Sequence, residues 1–243
     1  MAEVITTVHQ ETGGQLAQEP LDRVMEAVRV GRGSHARRRV VTFGVKMTMV
    51  QSVLAGSVAV PGHSSTKLTY ADYLLFPDDG LRHEIIGGEH FVTPSPVTRH
   101  QRISLNLLYL IRSYLEEHAI GELFGAPFDV LLSDFDVVVP DVVFISNRRS
   151  RFITPKNLQG PPDLAIEILS PSTRSRDKRL KRDLYEHVGV QEYWMVDPDT
   201  DVVTVFRRAA AGTFEEPIEY GSGQILTTPL FPGLELRIDK VLP

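Results

Sequence analysis

The stretch PDLAIEILSPST, residues 162–173, reads as a buried strand with one residue out of place. Leu164, Ile166 and Ile168 alternate onto one face, and Ala165 and Leu169 make the other face apolar as well. Glu167 sits between them. An ionised carboxylate buried without a partner costs several kcal/mol, so such a group is neutralised, paired or bound to a metal.

The same problem recurs upstream in VVVPDVVFI, residues 137–145, where Asp141 stands in a run of valines directly after Pro140. Proline inside a strand marks an edge, a bulge or a bend, and an acid just past a bend can be aimed into a cleft. Asp141 and Glu167 are 26 residues apart on apolar strands joined by one loop, so the two can lie side by side. A close carboxylate pair shares a proton or holds a cation, and Mg²⁺ suits the second case because it takes one or two carboxylates, keeps waters and joins phosphates.

Downstream, residues 175–188 read as a helix ended by Gly189. At about 100° per residue, Leu180, Leu184 and Val188 define its inward face. Asp177 points almost along that direction, Lys181 lies within about 40° of it and Lys178 about 100° away, while Arg179 and Arg182 point outward. Asp177 and Lys181 are thus an inward pair on one face. Docking the helix by an ion pair and supplying a catalytic lysine both account for it. Between Arg148 and Arg182 there are ten Lys or Arg against three acids. That segment is either a solvated face or a surface for phosphates.

The remaining pattern supports an α+β or mixed α/β domain built on a central mixed sheet. Residues 69–76 form a short helix capped by Thr69, and RHEIIGGEHFV a hairpin about Gly87-Gly88. Residues 100–118 form a helix with Ile103, Leu107, Leu110, Ile111, Tyr114 and Leu115 on one face. ELFGAPFDVLL and DFDVVVPDVVFI read as two strands joined at Ser133-Asp134, SPST as a turn, and EYWMVDP and VVTVFRR as later strands. Residues 1–65 differ from the rest and read as an extension holding one short amphipathic helix near 19–30. An overlong gene start, with the initiator at Met47 or Met49, would explain it.

The 243 residues have a formal net charge of −5, which argues against a bulk nucleic-acid coat but leaves room for a local basic surface. The absence of cysteine excludes disulfides, thiolate metal sites and cysteine catalysis. No apolar run is long enough for a membrane helix and no signal pattern opens the chain, so a cytoplasmic protein is expected.

Taken together, PD at 140–141, EIL at 167–169 and a lysine-bearing helix resemble the PD-(D/E)xK nuclease superfamily. The ordered blocks YLLFPDDGLRHEIIGGE, SPVTRHQRISLNLLYL, VPDVVFIS, PPDLAIEILSPST, KRDLYEHVGVQEYWMVDP and LFPGLEL resemble its Uma family of restriction-endonuclease-like proteins, over about residues 66–240. The resemblance implies a restriction-endonuclease-like core, a mixed sheet flanked by helices, and Mg²⁺-dependent hydrolysis of phosphodiester bonds in DNA, with Mn²⁺ as a substitute. Asp141 and Glu167 would hold the metal, the carbonyl of Ile168 would add a ligand, and Glu84 would complete or flank the site. The superfamily's lysine, two residues after the second acid, is Leu169 here. A lysine displaced onto the helix would replace it, Lys181 by helical phase or Lys178 in reserve. His100 falls in another shared block, and a homodimer would let both strands be cut. Two other readings compete: a DNA-binding or assembly module that has lost catalysis, and a glycosidase using paired carboxylates. The second leaves the basic segment and Lys181 without a role.

Overall fold

The structure is a computed structural model that describes residues 66–170, 174 and 177–242. The expected helix near 19–30, the initiator at Met47 or Met49, the SPST turn and the Asp177 side chain lie outside the described residues.

Proline decides how the strands are divided. The segment expected as two strands forms four: β3 (Gly121–Gly125), β4 (Val130–Ser133), β5 (Asp136–Val138) and β6 (Val142–Ser146). Pro127 and Pro140 carry no N–H for a ladder, so each breaks its run, and the halves enter different sheets. The two breaks are bonded together: the Ala126 N–H donates to the Asp141 carbonyl at 3.0 Å.

The larger sheet has six strands. β8 (Leu164–Ile168), β9 (Glu192–Asp197), β10 (Val202–Arg207) and β11 (Ile218–Tyr220) join β6 and β3 in the order β11-β10-β9-β8-β6-β3. Only its β8–β9 pair is parallel, so the sheet is mixed, as expected. The second sheet was not foreseen: β1 (Arg82–Ile86), β2 (Glu89–Thr93) and β7 (Leu158–Gln159) join β4 and β5 in the order β2-β1-β5-β4-β7. The β1–β2 hairpin turns on Gly87 and Gly88 at φ +60° and +84°, the left-handed pair that a two-residue turn requires.

Helices cover both faces of the six-stranded sheet. After the single turn α1 (Tyr70–Tyr73), α2 (Thr98–Glu117) lays Ile103, Leu107, Ile111 and Leu115 on Val142, Phe144, Leu164 and Ile166. Burial of each such side chain contributes about 2 kcal/mol. The opposite face packs Ala165, Leu169, Tyr193 and Met195 against Val130, Val138 and Leu158 of the second sheet, and against Tyr185 of α3 (Arg182–Val188). β12 (Ile225–Leu226), β13 (Leu236–Arg237) and α4 (Ile238–Val241) close the first core near the C-terminus. Among the described residues no helix is long and apolar enough to cross a membrane.

The expected helix at 175–188 is regular only in α3. Residues Asp177–Lys181 form a wider π-type turn before it, and α3 ends at Gly189 with φ +91°, as expected. The wider turn shifts the helical phase. Leu180, expected inward, is 44% exposed, whereas Lys181 is 2% exposed.

Gly121 starts β3 where a Cβ would lie 2.3 Å from the Ile145 carbonyl oxygen and 2.6 Å from the Phe144 ring. Backbone and a packed ring cannot give way, so Gly121→Ala is expected to cost about 2 kcal/mol in urea unfolding.

Candidate active site

β8 carries Glu167 on the face it shares with Ala165 and Leu169, where Tyr185 and Tyr193 pack. The carboxylate is 3% exposed. Two donors from the following crossover meet its Oε1: Lys181 Nζ at 2.8 Å and the Tyr185 hydroxyl at 2.7 Å. Lys181 also lies 2.8 Å from Oε1 of Glu84, which accepts the Val139 N–H at 2.9 Å. One buried ammonium therefore serves two buried carboxylates. Burial, with the charges of Glu167 and Glu84, holds the Tyr185 phenol well above its ordinary range, so it remains a donor.

Asp141 stands one residue before β6. The register that pairs Val142 with Ile166 places it across from Glu167. Its Oδ1 accepts from Arg82 at 2.7 Å, and its Oδ2 accepts the Ile168 N–H at 2.8 Å and lies 3.1 Å from His100 Nε2. Burial by itself raises this carboxyl's pKa. The hydrogen bond and charge of His100, the Arg82 charge and the Ile168 N–H outweigh it, and Asp141 titrates below its ordinary 3.8. Asp141, Arg82 and His100 line a cavity of about 350 Å³ between the β1–β2 hairpin, the first turns of α2 and the Ala126-Pro127 break.

Glu84, Asp141 and Glu167 are met by Lys181, which serves two of them, and by Arg82 and His100 on Asp141. Three carboxylates gathered beside a cavity offer the oxygen donors that suit Mg²⁺. Among the described residues no group of three His, Asp or Glu side chains is placed to hold a metal by itself. Asp141 and Glu167, with waters, are therefore the pair that would hold an ion, since Mg²⁺ commonly binds through two carboxylates.

The structure brings Glu84, His100, Asp141, Glu167 and Lys181 together. Glu84, which could have been a surface residue of a half-exposed hairpin, is 2% exposed. Lys178 is not part of the cluster: it is exposed, and its ammonium lies 4.0 Å from Asp197. Arg82 and the Tyr185 hydroxyl were missed. Arg82 lies two residues from Glu84 and so shares its face of β1. Tyr185 lies four residues after Lys181, one helical turn along. Both spacings were available in the sequence.

The Uma2 family model, described as "Putative restriction endonuclease", matches residues 70–239. The chain belongs to the Uma2 family. Comparison with curated proteins found no match. A solved crystal structure from Anabaena variabilis ATCC 29413, described as "a putative nuclease belonging to DUF820", is similar, with 23% identity and a TM-score of 0.62. The match covers 72% of this chain and 97% of that one. At this identity the likeness speaks for the fold, which agrees with the mixed sheets and few flanking helices.

The basic segment of this Uma2 protein is divided in use. Arg149 donates to the carbonyls of Pro161, Pro162 and Gly189, and Arg174 pairs with Asp197 and Asp199. Arg148, Arg151 and Lys156 remain exposed on the long loop.

Lys181→Met deprives two buried carboxylates of their shared cation. A loss of about 3–5 kcal/mol is expected in chemical unfolding. Adding Glu84→Gln, which removes one of the charges left behind, should restore part of it. Asp141 gives a pH signature. Because its folded pKa is depressed, its stabilising contribution is complete above the unfolded value and is lost as pH falls through the folded one. Stability curves taken from about pH 5 to pH 2 should fall less steeply for Asp141→Asn than for wild type.

Proposed function

We propose that this Uma2 protein is a metal-dependent endonuclease that hydrolyses phosphodiester bonds in DNA, using Mg²⁺ with Mn²⁺ as a substitute. The observation that carries the reading is the gathering of three buried carboxylates, Asp141, Glu167 and Glu84, around Lys181 and Arg82, beside a cavity that Arg82 and Asp141 line. The family description points to the same chemistry.

Asp141 and Glu167 would hold the ion. When bound, it polarises a phosphoryl oxygen and lowers the pKa of a coordinated water. The protein's own residues supply the rest. His100 and the Ile168 N–H fix the Asp141 carboxylate, and Lys181 with Tyr185 fixes that of Glu167. Arg82 offers the planar, permanently charged donor set that suits a phosphate. Lys181 takes the role of the lysine replaced by Leu169, placing positive charge beside the group that becomes more negative in the transition state. Glu84 then positions Lys181. The exposed Arg148, Arg151 and Lys156 would meet backbone phosphates, which give position without sequence choice.

A second reading, DNA binding without hydrolysis, is favoured by one feature: the Lys181 ammonium already neutralises part of the charge that would attract a metal.

Cleavage of supercoiled and linear DNA with Mg²⁺ or Mn²⁺ separates the two. Metal-dependent nicking is expected, reduced at least about 100-fold in Asp141→Ala and in Glu167→Ala, and strongly reduced in Lys181→Ala. Folded protein that cuts no substrate and gives no heat of Mg²⁺ binding would overturn the catalytic reading in favour of the binding one.

A further inference from the structure

The position of Asp141 restricts what can reach it. The residue is 3% exposed and lies on the wall of the cavity described above, together with Arg82 and His100. A scissile phosphate must therefore enter the cavity to approach it. A paired duplex, whose major groove alone is about 12 Å wide, is too broad to enter a space of about 350 Å³, and its phosphates are held on its rigid outer surface. One nucleotide freed from its partner is of the right size.

The lining has the composition such a guest needs. Three prolines, Pro94 and Pro96 before α2 and Pro127 after β3, give the lining apolar surface against which a base can pack. Gln101 and Ser104, from the first turns of α2, add an amide and a hydroxyl that can meet the polar edge of a base. Arg82 supplies the cation for the phosphate, on the same wall as Asp141. A site for a phosphate alone would have no use for the prolines or the amide.

We propose that the cavity takes one unpaired nucleotide of a nucleic-acid strand, its phosphate towards Arg82 and Asp141 and its base against the prolines within reach of Gln101 and Ser104. The inference rests on the nuclease reading and narrows it. The preferred substrate is a single strand, a bulge or a flap, and fully paired DNA is cut only where a nucleotide leaves the stack.

The test compares matched oligonucleotides that are single-stranded, bulged or fully paired, cut by wild type, Gln101→Ala and Ser104→Ala in Mg²⁺. Circular dichroism checks that each variant is folded. Single-stranded and bulged DNA should be cut at least about 10-fold faster than the paired control, and Gln101→Ala should reduce that advantage about 10-fold. Equal rates on all three substrates would overturn the inference while leaving the nuclease intact. If nothing is cut, the nuclease reading fails and binding decides the cavity's occupant. Fluorescence anisotropy of the same labelled strands in EDTA should then show tighter binding of the single strand, lost in Gln101→Ala. Equal binding of single and paired strands, or no effect of the substitution, would overturn the proposal.

Discussion

The Lys181 ammonium, held between Glu84 and Glu167, is the contact on which this region of the molecule depends. Removing an ion from water costs several kcal/mol, whereas an ordinary hydrogen bond contributes about 1 kcal/mol net. Three carboxylates lie within the protein here, each less than 4% exposed, so charge compensation outranks the finer details of packing. It explains why a lysine occupies an inward helical position, why Tyr185 places its hydroxyl on Glu167 rather than in solvent, and why Arg82 is drawn onto Asp141. The apolar surroundings make each of these contacts stronger and leave less freedom to rearrange them.

The prolines do the geometric part. At Pro127 and Pro140 the chain leaves one sheet and enters the other, and the Ala126–Asp141 hydrogen bond joins those two points. A carboxylate in mid-strand would have been locked among valines. One residue past a break, Asp141 can keep its backbone tied to the sheet while its side chain meets Arg82, His100 and a cavity. The same break that ends a ladder thus creates the opening from which chemistry can be done.

Much of this was legible in the sequence because charge in an apolar run is a strong signal. Asp141 and Glu167 could be picked out without any structure, and Lys181 followed from helical phase, although the π-type turn made Leu180 a false guide. The mixed sheet followed from the pattern of segments. The second sheet did not, because strand periodicity says which face a residue takes and nothing of which sheet receives it. Reading Pro127 and Pro140 as full stops would have recovered four strands from two. Arg82 and Tyr185 were missed for another reason. An arginine at a strand start and a tyrosine in a helix are ordinary until the acids they face are placed, and those acids come from segments distant in the chain.

The crossover that carries Lys181 also bears on how the two sheets are held together. β8 and β9 are parallel neighbours, and α3 lies between them in sequence, so Lys181 and Tyr185 travel with the loop that β8 and β9 close. Glu167 therefore finds its counter-charge within the same supersecondary unit, only 14 residues on. Glu84 must arrive from the other end of the domain, on a hairpin of a different sheet. The ammonium is therefore shared between a local partner and a distant one, and this buried contact ties the hairpin's sheet to the six-stranded sheet in one register.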